Sequence, residues 1–295
     1  MLTQNQTGIL YMVLSTVAFS LMDTLVKLMS PYYPTGELVF FRGFFGLIPI
    51  FFIIPRHKYK NFFETKKPKL HLIRAVAGAF AMVSIYFGIR YLPLAEAVSI
   101  TFAAPVFVTI LSIFFLQEKV RFIRWSAIAL GLAGVLVVLK PGTELFSIYS
   151  IFPIFFCLGF SVVAISIKKL SATEPDYLIM IFFTFALIVY GFLSILNQDW
   201  IIPTMKDFVF LALIGILGSI GNMMLTMSIR RSNVSAVTPI KYLSLVFAII
   251  SGMLLFNELP STSTYIGAGM IILSSLIIFR REQDKKITTT ITRQI

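Results

Sequence analysis

Cysteine is nearly absent from this sequence. Cys157 stands alone among 295 residues, which excludes an intramolecular disulfide. Histidine is almost as scarce: His57 and His71, even with Cys157, supply no ligand set of the zinc type, so neither a metal nor a cofactor is expected. Charged residues make up only 13% of the chain, against roughly 25% in a soluble domain, and that shortage excludes a soluble globular protein. Two catalytic arrangements are missing as well. No P-loop is present, so ATP hydrolysis does not drive any work done here, and no Ser-His-Asp grouping marks a hydrolase. The reading is therefore not an enzyme. The first apolar segment lacks a basic n-region and a small-residue cleavage site and carries Asp23 and Lys27, so it does not read as a secretory leader.

What fills the sequence is apolar. Hydrophobic residues reach 58%, and mean hydropathy is +0.90. Ten apolar runs approach the twenty residues that cross a bilayer as a helix: about 8–29, 36–55, 71–91, 94–116, 122–139, 148–168, 176–196, 207–228, 234–256 and 262–280. Breakers separate them, among them Pro31 with Pro34, Pro55, Pro93, Pro141 with Gly142, Pro175, Pro203 and Pro260. The expected fold is an all-α polytopic membrane protein of ten transmembrane helices. The Thr-rich tail, 282–295, reads as disordered.

A net charge of +12 would suggest nucleic acid in a soluble protein; here its distribution reports topology, and no nucleic-acid partner is expected. With the N-terminus set inside, nineteen of the twenty-five cations fall in inside loops and the C-terminal tail, three (Arg90, Lys140 and Lys206) outside, and three (Lys27, Arg42 and Lys241) within spans. The bias toward one side predicts a multi-pass protein of the cell inner membrane with both termini cytoplasmic.

The chain also repeats itself. At a constant shift of 140, Ile89, Arg90, Ile100, Val106, Phe107 and Glu118 fall on Ile229, Arg230, Ile240, Val246, Phe247 and Glu258. The stretch from Leu92 to Val120 thus recurs from Val234 onward. Five spans per half is an odd number, so the second half enters the membrane inverted. The expected units are 1–140 and 148–281, two inverted-topology repeats with a site between them near the midplane. Small-residue stripes at Gly43 and Gly46, Gly131 and Gly134, Gly215, Gly218 and Gly221, and Gly267 with Gly269 are assigned to close helix packing.

Ionisable residues inside apolar spans need a partner or a wet cavity. Asp23 and Lys27 share one face of span one at a spacing of four, so they either pair with each other or Asp23 meets a cationic ligand. Arg42 reads as a brace against a carbonyl or an acid, and Glu96 complements the start of span four. Lys241 falls on Thr101 at the shift of 140, and Tyr242 on Phe102, about two turns into their spans. Lys241 is a candidate for a carboxylate, or a partner for an acid. Ser99, Thr101, Thr238, Asn222, Ser161 and Tyr86 offer further hydrogen bonds, although hydroxyls in spans usually bond their own helix.

Ser20, Asp23 and Lys27 in span one, Arg42 in span two, and the A-x-A-V…P-V…Glu plan of span four with its echo together resemble the EamA-type drug/metabolite transporters. A Phe19-Ser20 pair stands where that family often has Trp-Gly. The resemblance implies an inverted five-plus-five repeat around a central cavity, and it adds Ser20 to the candidate substrate contacts. Within the family the chain is most similar to bacterial S-adenosylmethionine uptake transporters. The function this implies is secondary transport of a small zwitterionic or cationic metabolite by alternating access, S-adenosylmethionine foremost. An amino-acid or drug exporter on the same scaffold is the alternative, and a membrane enzyme or receptor is a rival of another class. The partners are a small-molecule metabolite and the lipid bilayer, with a homo-oligomer allowed.

Overall fold

The structure, a computed structural model, describes residues 4–54, 63–104, 106–108, 110–111, 122–140, 147–170, 173–197, 199–231, 241–274 and 276–277. Thr238, Glu118 and the C-terminal tail lie outside them. The described residues form helices and turns, and ten apolar helices match the ten expected runs. Six are long: α1 (Gln4–Met29), α2 (Thr35–Ile53), α3 (Pro68–Tyr91), α6 (Ile151–Leu170), α7 (Asp176–Leu193) and α8 (Met205–Arg231). Four are shorter: α4 (Leu94–Thr101), α5 (Phe122–Leu139), α9 (Leu243–Phe256) and α10 (Thr262–Ser274).

The faces sort as a bilayer requires. On α3, His71, Arg74, Ala75, Gly78, Ala79, Ile85, Tyr86 and Ile89 are buried, while Leu72, Ile73, Val76 and Phe80 point outward. Buried and outward positions alternate at helical spacing, with the exposed stripe as apolar as the core, which is a lipid-facing surface. Arg74, one of the nineteen cations counted with the inside loops although it falls in the run 71–91, is inside α3 on its buried face, because the helix begins at Pro68.

The halves are related by pseudo-two-fold contacts. α1 packs on α8 as α3 packs on α6; α2 meets α8 as α7 meets α3; α1 meets α9 as α6 meets α4; and α2 with α7, and α4 with α9, pair with their own equivalents. With five helices per half, equivalents run in opposite directions. Loop contacts fall at two ends accordingly. At one end Arg90 Nη1 donates to Tyr33 O (3.1 Å), Tyr33 donates to Asp207 Oδ2 (2.9 Å), and Lys140 Nζ donates to Ser261 Oγ (2.8 Å). Burial and the Asp207 carboxylate push the Tyr33 phenol up, which keeps its proton in place as donor. At the other end Glu174 Oε1 accepts from Thr65 Oγ1 and Lys66 N.

Glycine sets two of these contacts. A Cβ on Gly134 would lie 2.9 Å from Gly267 O, and one on Gly267 would lie 2.6 Å from Gly134 O, so α5 and α10 touch backbone to backbone. Gly269 does not belong to this stripe, since nothing lies within 4 Å of its would-be Cβ.

Span four departs from the single uninterrupted helix expected over 94–116. α4 ends at Thr101, and Phe102 N and Ala103 N bond back only three residues, to Ser99 O and Ile100 O. Four-residue helical bonding resumes with Phe107 N to Ala103 O. The reason is in the sequence: Pro105 has no N–H for the carbonyl of Thr101. Cys157 on α6 attends to those carbonyls, its Sγ 3.4 Å from Ile100 O and 3.7 Å from Thr101 O. The equivalent point in the other half, Lys241–Tyr242, is a tight turn leading into α9. Phe102 and Tyr242, equivalent at the shift of 140, meet edge to face with centroids 5.2 Å apart, so the pseudo-two-fold axis passes between them.

Candidate substrate-binding site

Helix α1 presents Ser20, Asp23 and Lys27 on one stripe. Ser20 and Asp23 line a cleft closed by Leu94 and Val98 of α4 and by Ser244 and Ala248 of α9, with a volume of about 10 Å³, room for about one water molecule. The cleft therefore lies between the halves, as the repeat predicts. Among the described residues the buried Ser20 hydroxyl has no hydrogen-bond partner, and Asp23 forms no hydrogen bond or ion pair. Among the described residues, Arg42 is the charge that acts on Asp23. A charge at this depth costs about 2.5–3.5 kcal/mol on insertion scales, so an unpaired carboxylate bordering a cleft is poised for a cation. Drug-sized ligands occupy pockets of roughly 300–1,000 Å³, so the cleft is in a closed form.

Lys27 does not pair with Asp23, as one reading of the spacing expected. Its ammonium turns one helical turn away to Glu258 Oε1 at 2.8 Å, and it also donates to Leu92 O. Glu258 Oε2 accepts from Leu94 N at 2.7 Å. One ion pair thus ties the end of α1 to the start of α4 and the chain just past α9, directly over the cleft that Leu94 also lines. Both side chains are mostly buried, 12% and 20% exposed, so water screens the pair only in part.

The other candidates are distributed around this cleft rather than gathered into it. Ser99 donates to Ala95 O, Thr101 to Val98 O, Ser161 to Cys157 O and Asn222 to Gly218 O, each within its own helix. Lys241 sits one turn from Ser244 with its ammonium 5.5 Å from the Phe160 ring and no ion pair among the described residues. Tyr86 is buried and directs its hydroxyl at Met22 Sδ, 3.8 Å away. Glu96 meets Ser150 Oγ at 3.5 Å, a weak contact. Leu94, Val98, Ser244 and Ala248 were not singled out in the sequence; only Ser244, three residues past Lys241 on the same face, carried a signal.

Among the described residues Arg42 makes no hydrogen bond to a carbonyl and no ion pair with an acid, although its charge and that of Asp23 act on each other at longer range. Its Nε reaches Met22 Sδ at 3.4 Å, its guanidinium lies 5.5 Å from the Phe183 ring, and Gly218 supplies the room, since a Cβ there would stand 3.0 Å from Nε. On the far side of the arrangement Arg74 lies 4.4 Å from the same ring. A cation–π contact contributes about 0.5–2 kcal/mol, less than the cost of holding each guanidinium in the membrane.

A family model described as the EamA-like transporter family matches the chain twice, over residues 6–140 and 146–280. The chain belongs to the EamA-like transporter family. The transporter is 31% identical over 281 residues to an S-adenosylmethionine uptake transporter of Rickettsia conorii, a match covering 94% of each chain. It is 28% identical to a pseudopaline exporter of Pseudomonas aeruginosa, covering 94% of this chain and 98% of that one. A solved crystal structure at 17% identity shares the fold, with a TM-score of 0.59 over 93% of this chain and 96% of the other.

Proposed function

We propose that this transporter takes up S-adenosylmethionine across the bacterial inner membrane by alternating access. The observation that carries the reading is Asp23: a carboxylate without a partner among the described residues, bordering a cleft between α1 of one half and α4 and α9 around it. S-adenosylmethionine brings an ammonium and a sulfonium for that carboxylate, a carboxylate for a cation, and an adenine for aromatic faces. The similarity to relatives that bear this substrate in their name supports the same choice. The net positive charge of the metabolite favours import under a negative-inside potential, by about 2.3 kcal/mol per charge per 100 mV. In this reading the cation-rich Glu174 end faces the cytoplasm, and the Lys27–Glu258 pair closes the outside.

The deciding experiment is uptake of labelled S-adenosylmethionine by proteoliposomes carrying the purified chain. Saturable accumulation above protein-free liposomes, competed by unlabelled substrate and not by methionine alone, is the expected result. No accumulation under either polarity of membrane potential rejects this substrate. The second reading is export of a zwitterionic metabolite, favoured by the likeness to the pseudopaline exporter; efflux without uptake in the same vesicles selects it.

A further inference from the structure

Next to the Asp23 cleft but outside its lining, the buried faces of α2, α3 and α7 enclose two guanidiniums and an imidazole. Arg42 and Arg74 are 3% and 5% exposed, and His71, one turn before Arg74 on the same face of α3, is fully buried. Their polar atoms are unmet: Arg42 Nη2, Arg74 Nε and Nη1, and both ring nitrogens of His71 make no hydrogen bond among the described residues. Both guanidiniums converge on one ring, Phe183, and His71 lies against the next, Phe182, with centroids 4.6 Å apart.

An arginine stays charged inside a protein, so deprotonation gives no relief. Two guanidiniums on one ring repel each other, and a ring face recovers less than their desolvation removes. Nearby carboxylates do not close the account: Asp23 acts on Arg42 at a distance without pairing with it, and Glu174 acts on His71 while already accepting from Thr65 and Lys66. Arg74 has no acid acting on it at all among the described residues. The guanidinium forks are shaped for a planar or tetrahedral oxyanion, to which they donate in pairs.

We propose that Arg42, Arg74 and His71, grouped around Phe183 and Phe182, form an oxyanion-binding site inside the helix bundle that takes a carboxylate or phosphate group. The site is independent of which metabolite occupies the Asp23 cleft. A soluble oxyanion and an anionic lipid headgroup are its two possible sources.

Thermal unfolding of the full chain in nanodiscs tests it. In discs of phosphatidylcholine alone, sodium acetate or sodium sulfate is titrated against sodium chloride at equal ionic strength; in a second series phosphatidylglycerol replaces part of the phosphatidylcholine. The expected result is a saturable rise of Tm with one of these probes. A rise with acetate or sulfate identifies a soluble oxyanion, and a rise with phosphatidylglycerol alone identifies the headgroup. Arg74→Met abolishes the rise and unfolds no earlier than the parent chain in oxyanion-free phosphatidylcholine discs, because an unpaired buried charge has been removed. Arg74→Lys keeps the charge without the fork and raises the half-saturating concentration about tenfold. The parent chain decides by itself: a Tm indifferent to acetate, sulfate and phosphatidylglycerol overturns the proposal and leaves the arginines as braces on Phe183.

Discussion

Asp23 and Lys27 lie four residues apart on one helix face, yet they do different work. Lys27 is spent on Glu258, whereas Asp23 borders a cleft with no hydrogen-bond or ion-pair partner among the described residues. Replacing Asp23 by Asn keeps the shape and removes the charge. A charge-assisted hydrogen bond contributes about 1.5–3 kcal/mol, so Asp23→Asn should raise the half-saturating concentration for S-adenosylmethionine about 10- to 100-fold with normal membrane insertion. Unchanged uptake kinetics would remove Asp23 from the site. Among the described residues, the Lys241 ammonium lies beside the Phe160 ring and forms no ion pair. Lys241→Met is expected to weaken uptake of the carboxylate-bearing substrate while leaving a decarboxylated analogue unaffected. Equal loss for both compounds would show a packing role instead.

At the scale of elements, the ends of α1 and α9 and the start of α4 are joined by one ion pair and one carboxylate-to-amide bond. In the alternating access proposed above, that junction has to part. A cysteine at Val98, buried beside the cleft, reports on it. Glu258→Gln should speed labelling of Val98→Cys by a membrane-impermeant thiol reagent about tenfold, since a shift of roughly 1.4 kcal/mol in closure is tenfold in population. The exchanged pair, Lys27→Glu with Glu258→Lys, should slow it again. Labelling equally slow in all three backgrounds would mean that the junction is not a closure. The break in α4 belongs to the same scale. It follows from Pro105 in the sequence, but the answering group, Cys157, comes from α6, 52 residues along the chain, and no local pattern announces it.

For the whole molecule, the loop contacts divide between two ends, as ten spans require. Cysteines placed at Lys66 and Gln283 should be labelled only from the cytoplasmic face of oriented vesicles, because both positions lie in cation-rich segments. Labelling of either from the outside of intact cells would invert or break the proposed topology. Arg90 and Arg230, equivalent at the shift of 140, end helices α3 and α8 that run in opposite directions, so cysteines at these two positions should label from opposite faces.

The sequence by itself determined the class, the number of helices and the inverted repeat. Each of these depends on local quantities, namely run length, apolar content and spacing along the chain, and a bilayer converts them directly into spans. It also determined which residues had to be special, since charges such as Asp23, Lys27, Arg42 and Lys241 stand out in apolar runs. Only the tertiary structure decided how those charges are used. Partner choice depends on which helices touch, and helix contacts in lipid are set by side-chain shape and small residues spread over the whole chain rather than by any periodicity within one span. That is why Glu258, 231 residues away, holds Lys27 in place of Asp23, why Arg74, counted with the loop cations, lies in the core, and why the hydroxyls of Ser99, Thr101 and Ser161 turn back onto their own helices while Ser20 and Asp23 face the cleft.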